Sequence, residues 1–95
     1  MQLDVKPFRA DCTDKEAAVK VLEEASEARE AWSMMDEYTR KFPSQNGAYV
    51  RTHLADELAD CITACANLAE RYGLDLQAAL DRVERRNRER GRYDG

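Results

Sequence analysis

TDKEAAVKVLEEASEAREAWSMMDEYTRK, residues 13–41, runs without a single glycine or proline. Its opening Thr13-x-x-Glu16 is a capping box, in which the Thr13 hydroxyl accepts from the backbone and the Glu16 carboxylate reaches back. Ala18, Val21, Leu22, Ala25, Ala28, Trp32 and Met35 recur at helical spacing and mark one apolar stripe. The stretch therefore reads as a long amphipathic helix from Thr13 to about Lys41.

Working outward, the loop signals Pro43, Ser44, Asn46 and Gly47 stop this helix between Phe42 and Ala48. A second helix is expected from about Tyr49 to Tyr72. Its stripe is Leu54, Leu58, Cys61, Ile62, Cys65, Leu68 and Tyr72, and Gly73 is its left-handed C-terminal cap. Asp75 is placed to cap a third helix carrying Leu76, Leu80 and Val83. Short connections make successive helices antiparallel neighbours. In front of all this, Met1 to Cys12 is a short leader with no clear periodicity.

The composition agrees: 43% hydrophobic and 36% charged, with two prolines and four glycines, is the profile of a charge-laced helical chain rather than a sheet or a disordered one. A chain of 95 residues makes one domain, residues 1–95, of a size that buries only about 60–65% of its unfolded surface. Three amphipathic helices rarely suffice for a stable monomer. The expected fold is thus all-α, an antiparallel helical bundle completed by oligomerisation as a homodimer or homotetramer.

The net charge of −4 disfavours nonspecific nucleic-acid binding by the domain as a whole. Acidic residues dominate the first half, whereas Arg82, Arg85, Arg86, Arg88, Arg90 and Arg92 crowd the end. No apolar run reaches the length of a membrane span and no signal-peptide pattern opens the chain, so no membrane partner and a cytoplasmic location are expected. Cys12, Cys61 and Cys65 are odd in number and form no Cys-x-x-Cys pair. Cys61 and Cys65 read as small buried hydrophobes, because a zinc site with the lone His53 lacks finger or ribbon spacing.

Two acidic clusters break the ordinary pattern. Glu23-Glu24-Ala25-Ser26-Glu27 lies on the first helix and Glu57-Leu58-Ala59-Asp60 on the second. Carboxylates three or four residues apart share a helix face, where like charges repel. At about 100° per residue, Glu24 and Glu57 fall near the borders of their apolar stripes, Glu27 and Asp60 lie further toward the polar side, and Glu23 points away from Glu24. Antiparallel pairing can bring two such mid-helix clusters to one level. Together they would form a cage of hard oxygen ligands suited to Mg²⁺, with Mn²⁺ as a substitute. For any one glutamate among 19 acidic residues, a solvated helix position is the ordinary alternative.

Glu-Glu-x-x-Glu followed by Glu-x-x-Asp resembles the signature of the all-α nucleoside triphosphate pyrophosphohydrolases, and the chain looks like a MazG-type member. The likeness runs from about Thr13 to Tyr93. It takes in Lys20 to Glu27, Leu54 to Asp60, Tyr72-Gly73-Leu74-Asp75-Leu76 and the closing Arg86 to Arg92. The resemblance implies that Glu24, Glu27, Glu57 and Asp60 are metal ligands and that Glu23 orients a ligand or helps to activate water. It further implies hydrolysis of a (d)NTP to the monophosphate and pyrophosphate. In that chemistry a divalent cation screens the phosphates from the acidic pocket and lowers the pKa of a bound water. Neither a Gly-rich phosphate loop nor a nucleophile–base arrangement points to another route.

Other candidates keep two readings each. Lys20 either pairs with Glu23 or Glu24 or reaches phosphate. Trp32 is either a core or interface residue or a stacking platform for the base. Asn87 falls where the third stripe predicts an inward residue; it either fixes oligomer register or, as the resemblance implies, contacts the substrate. Arg90 and then Arg86 either belong to a solvated basic tail or, as the resemblance implies, contact the substrate's phosphates, whose oxygens suit guanidinium forks. Tyr49 and Tyr93 are candidate base or ribose contacts, and His53 takes no assigned role. With so short a leader, the helix that often precedes the first cluster in MazG-type proteins, and that commonly helps to form the base pocket, is expected to be reduced or absent. Two rival functions remain: phosphoribosyl-ATP pyrophosphohydrolase, of the same fold and bond type, and a non-catalytic helical module that dimerises.

Overall fold

Thr13 starts the first helix as its spacing predicts. Its Oγ1 accepts from the Glu16 N–H at 3.1 Å, and Glu16 Oε1 accepts from the Thr13 N–H at 3.1 Å. In the computed structural model, which describes all residues from Met1 to Gly95, the chain forms α1 (Asp14–Lys41), α2 (Ala48–Arg71) and α3 (Leu76–Glu89) and contains no strand. The turn between α1 and α2 closes on Gly47, whose φ of 63° is left-handed. A Cβ there would lie 3.3 Å from Val50 Cγ2 and 3.4 Å from the Tyr38 ring, so glycine also permits the close approach of the two helices. Helix α2 ends in a Schellman arrangement: Leu74 N–H donates to Ala69 O at 2.9 Å, Gly73 N–H to Glu70 O at 3.2 Å, and Gly73 has φ 62°. Asp75 Oδ1 caps α3 by accepting from the Ala78 N–H at 2.9 Å.

Only α1 and α2 pack extensively against each other. On α1, the line Ala17, Val21, Glu24, Ala28, Ala31 and Met35 is withdrawn from solvent. On α2 it is Val50, Leu54, Glu57, Cys61, Ala64, Leu68 and Arg71. Both lines advance by four and three residues in turn, the repeat of two helices lying side by side.

This seam corrects the expected stripes. Ala18, Leu22, Ala25 and Trp32 were expected to pack on α1, yet Leu22 is 71% and Trp32 50% exposed. On α2, Leu58, Ile62 and Tyr72 are likewise uncovered. The buried line is shifted by one position, to Ala17, Glu24 and Ala31. The reason is geometric. Each helix has one packed neighbour and can bury one line, and the small alanines of α1 let α2 come close there. The larger apolar residues remain on a second, outer face.

The interior is correspondingly thin. Its buried hydrophobic residues are all alanines apart from Val50, and no large side chain is fully buried. Helix α3 packs extensively on neither of the other two, leaving Leu80 54% exposed, with Leu76 and Val83 also uncovered. The radius of gyration is 16.4 Å, against about 12 Å for a close-packed domain of this length. No helix is long and apolar enough to cross a membrane.

The leader forms no helix, but it is held. Phe8 N–H donates to Asn67 Oδ1 at 2.8 Å. The Arg71 guanidinium donates to Cys12 O at 2.7 Å, to Ala10 O at 3.2 Å and to Asp14 Oδ1 at 3.1 Å. Residues 8–12 thus lie as a strap across the ends of α1 and α2.

Candidate metal centre

Glu24 and Glu57 occupy seam positions, where two packed helices ordinarily place apolar side chains. The Glu24 side chain is 9% exposed; its Oε1 accepts from Lys20 Nζ at 2.9 Å, and its buried Oε2 has no donor. Glu57 faces it from α2 with an equally orphaned, buried Oε2. Its Oε1 lies 4.0 Å from His53 Nδ1, too far for a hydrogen bond. A buried carboxylate oxygen without a donor is costly, and two of opposite helices near one another compound the cost. Asp60, one turn beyond Glu57, is exposed, and Glu24, Glu57 and Asp60 offer oxygens that all lie within 4.8 Å of one another. Oxygens sharing one Mg²⁺ at its usual bond length stand about 3–4 Å apart, so small side-chain rotations bring the three onto one ion. An exposed carboxylate such as Asp60 needs no cation by itself. The orphaned Oε2 atoms of Glu24 and half-buried Glu57 are hard oxygen donors of the kind a divalent ion takes.

Glu27 is exposed at the edge of this group. The negative charge of Glu24 pushes its carboxyl above the usual glutamate range, with lesser contributions from partial desolvation and from Glu57. Lys20 is held above the usual lysine value, first by its hydrogen bond to Glu24 and then by that carboxylate's charge. Burial raises the Cys61 thiol, helped by Cys65, and both cysteines are free and half-buried rather than fully enclosed.

Beside the carboxylates a groove of about 640 Å³ opens between the leader strap, the first half of α1 and the second half of α2. Phe8, Ala17, Val19 and Ala64 give it apolar walls, and Asn67 and Arg71 lie where the strap is tied down. Lys20, Glu23, Glu24 and Asp60 line it on the side of the acidic group.

No family model, curated protein or solved structure matches this chain.

The fold brings Lys20, Glu23, Glu24 and Glu27 of α1 and Glu57 and Asp60 of α2 into one neighbourhood by pairing two consecutive helices. Trp32, Arg86, Asn87 and Arg90 lie elsewhere in the single chain. Trp32 is on the uncovered outer face of α1, and the other three are at the end of α3, none of them in the groove wall. Tyr49 is 78% exposed, and Tyr93 takes the Arg88 guanidinium over its ring at 5.2 Å. Sequence reasoning passed over Phe8, Asn67 and Arg71, the residues that build the strap. For Arg71 a signal existed: position 71 continues the seam repeat through Glu57, Cys61, Ala64 and Leu68.

Proposed function

We propose that the chain is a MazG-like, Mg²⁺-dependent nucleotide pyrophosphohydrolase that converts a (d)NTP to a (d)NMP and pyrophosphate. It would act as a cytoplasmic homodimer or homotetramer. The observation that carries this reading is the pair of buried, donor-less oxygens of Glu24 and Glu57 facing each other across the α1–α2 seam. One unsatisfied oxygen on each of these two carboxylates costs stability, and a divalent cation would remove that cost.

Glu24, Glu57 and Asp60 would hold the ion, and Glu27 would join them from the edge. When bound, Mg²⁺ supplies charge neutralisation at the phosphates and a water of lowered pKa. Glu23, exposed on the groove wall, would orient a ligand or help to activate the attacking water by accepting its proton. The groove's volume falls within the range of sites that enclose small ligands, and its apolar walls suit a nucleoside. Asn67 spends its Oδ1 on the strap and keeps its amide N–H groups for a base edge. Arg86, Asn87 and Arg90, remote within one chain, would reach substrate only across a subunit interface.

The test is product analysis with purified protein, Mg²⁺ and a panel of NTPs, dNTPs and phosphoribosyl-ATP. Monophosphate plus pyrophosphate, lost on chelation, is the expected result. Glu24→Gln and Asp60→Asn should each reduce turnover about a hundred-fold or more while leaving helicity nearly unchanged. Wild-type rates in either variant would refute the site. Cleavage of phosphoribosyl-ATP alone would move the assignment to that enzyme class. The uncovered apolar faces favour one further reading, a helical interaction module, and intact helices with neither turnover nor cation binding would leave that reading in place of the enzyme.

A further inference from the structure

We infer that Lys20 is the built-in counter-ion of the metal-free site, displaced from Glu24 when a divalent cation binds and turned toward the groove to meet the substrate's phosphates. The inference rests on the metal reading above. Lys20 lies one helical turn before Glu24 and is the one lysine or arginine whose ion pair reaches the acidic group. The two partners differ sharply in setting: the Glu24 side chain is 9% exposed, and that of Lys20 is 55% exposed. One partner is fixed in the seam, whereas the other can swing at little steric cost.

The ammonium sits on Oε1 of a residue whose Oε2 is free and buried. A cation shared by Glu24, Glu57 and Asp60 would place two positive charges against that ammonium at short range. The monovalent, exposed partner yields to the divalent one, which gains three carboxylates. Lys20 already lines the groove, so its release costs no backbone movement. The groove's other cations are Lys15 and Arg71. Arg71 is engaged by Asp14 and the carbonyls of Ala10 and Cys12, which keeps it out of phosphate binding. Freed Lys20 is thus the groove's mobile positive charge nearest the cluster. Metal binding and phosphate binding then reinforce each other through one side chain, and the coupling is reciprocal.

Mn²⁺ binding, measured by calorimetry at neutral pH on the intact protein, tests this. Lys20→Met should bind Mn²⁺ about five-fold more tightly than the wild type, the size expected from removing one competing, partly exposed ion pair. Lys15→Met, which alters the same groove without touching Glu24, should leave Mn²⁺ affinity unchanged, and Lys20→Arg should stay near the wild type. At saturating Mn²⁺, Lys20→Met should raise the KM for the nucleotide about ten-fold, as loss of a phosphate contact does. Unchanged or weaker Mn²⁺ binding by Lys20→Met, in a wild type that binds the ion, would overturn the counter-ion role and leave the metal site intact. Tighter binding with an unchanged KM would overturn delivery to phosphate. A wild type that binds no more Mn²⁺ than Glu24→Gln would remove both the metal reading and this one.

Discussion

Glu27 shows how the charge of the cluster feeds back on stability. The charge of Glu24, followed by partial desolvation and the charge of Glu57, raises its carboxyl above the ordinary range. An acid whose folded-state pKa is raised holds its proton more tightly in the folded chain. Its stabilising contribution is complete below the unfolded value, about 4.3, and is lost as pH rises through the folded value. Near neutrality an ionised Glu27 therefore opposes folding in the absence of metal. In chelator at neutral pH, Glu27→Gln should melt at a higher temperature than the wild type, and the difference should close as pH falls toward the glutamate range. A variant that is less stable than the wild type under these conditions would show that the carboxylates do not repel as their geometry implies. At this scale the sequence was partly legible. The spacing of Glu24, Glu57 and Asp60 marked them, but a stripe drawn through apolar residues placed Glu24 and Glu57 at its border. The fold places them in the seam, because the line that packs is set by close approach of small residues and not by summed hydrophobicity.

Among the elements, the three helices were legible nearly to the residue, since capping chemistry is local: Thr13, Gly73 and Asp75 each do what their type and position imply. The strap was not. Residues 8–12 carry no periodicity, and their conformation comes from Asn67 and Arg71, about sixty residues away along the chain. Arg71, with its side chain 10% exposed, ties three carbonyl or carboxylate oxygens and joins the leader to both helices. Arg71→Met keeps the stem and removes the fork. Loss of charged hydrogen bonds of this kind costs about 1–3 kcal/mol, and each kcal/mol lowers Tm by roughly 4–8 °C in a domain of this size. Hydrogen exchange should then show the Phe8 amide losing its protection while the middle of α1 and α2 retains theirs. Unchanged protection at Phe8 would mean that Asn67 holds the strap alone.

For the whole molecule, one chain leaves much apolar surface uncovered, and this is the ground for proposing an oligomer. Leu22 and Trp32 on α1, Leu58, Ile62 and Tyr72 on α2, and Leu76, Leu80 and Val83 on α3 are all exposed. A largely alanine interior contributes little hydrophobic free energy by comparison. The exposed apolar residues of α1 and α2 lie outside the seam that joins the two helices. Two α1–α2 hairpins laid face to face would bury them as a four-helix bundle, with α3 of each chain free to lie over its partner. Such pairing would also carry Arg86, Asn87 and Arg90 away from their own chain, toward the other subunit. Sedimentation should therefore give a mass of two or more chains of 10.9 kDa each. Ile62→Glu places a charge in the centre of the proposed interface without touching the α1–α2 seam. It should shift the protein toward the monomer and make its Tm rise with protein concentration, as linkage to assembly requires. A wild type that sediments as a monomer and melts cooperatively would show that this thin, extended chain is stable alone. The outer stripes would then be surfaces for a different partner.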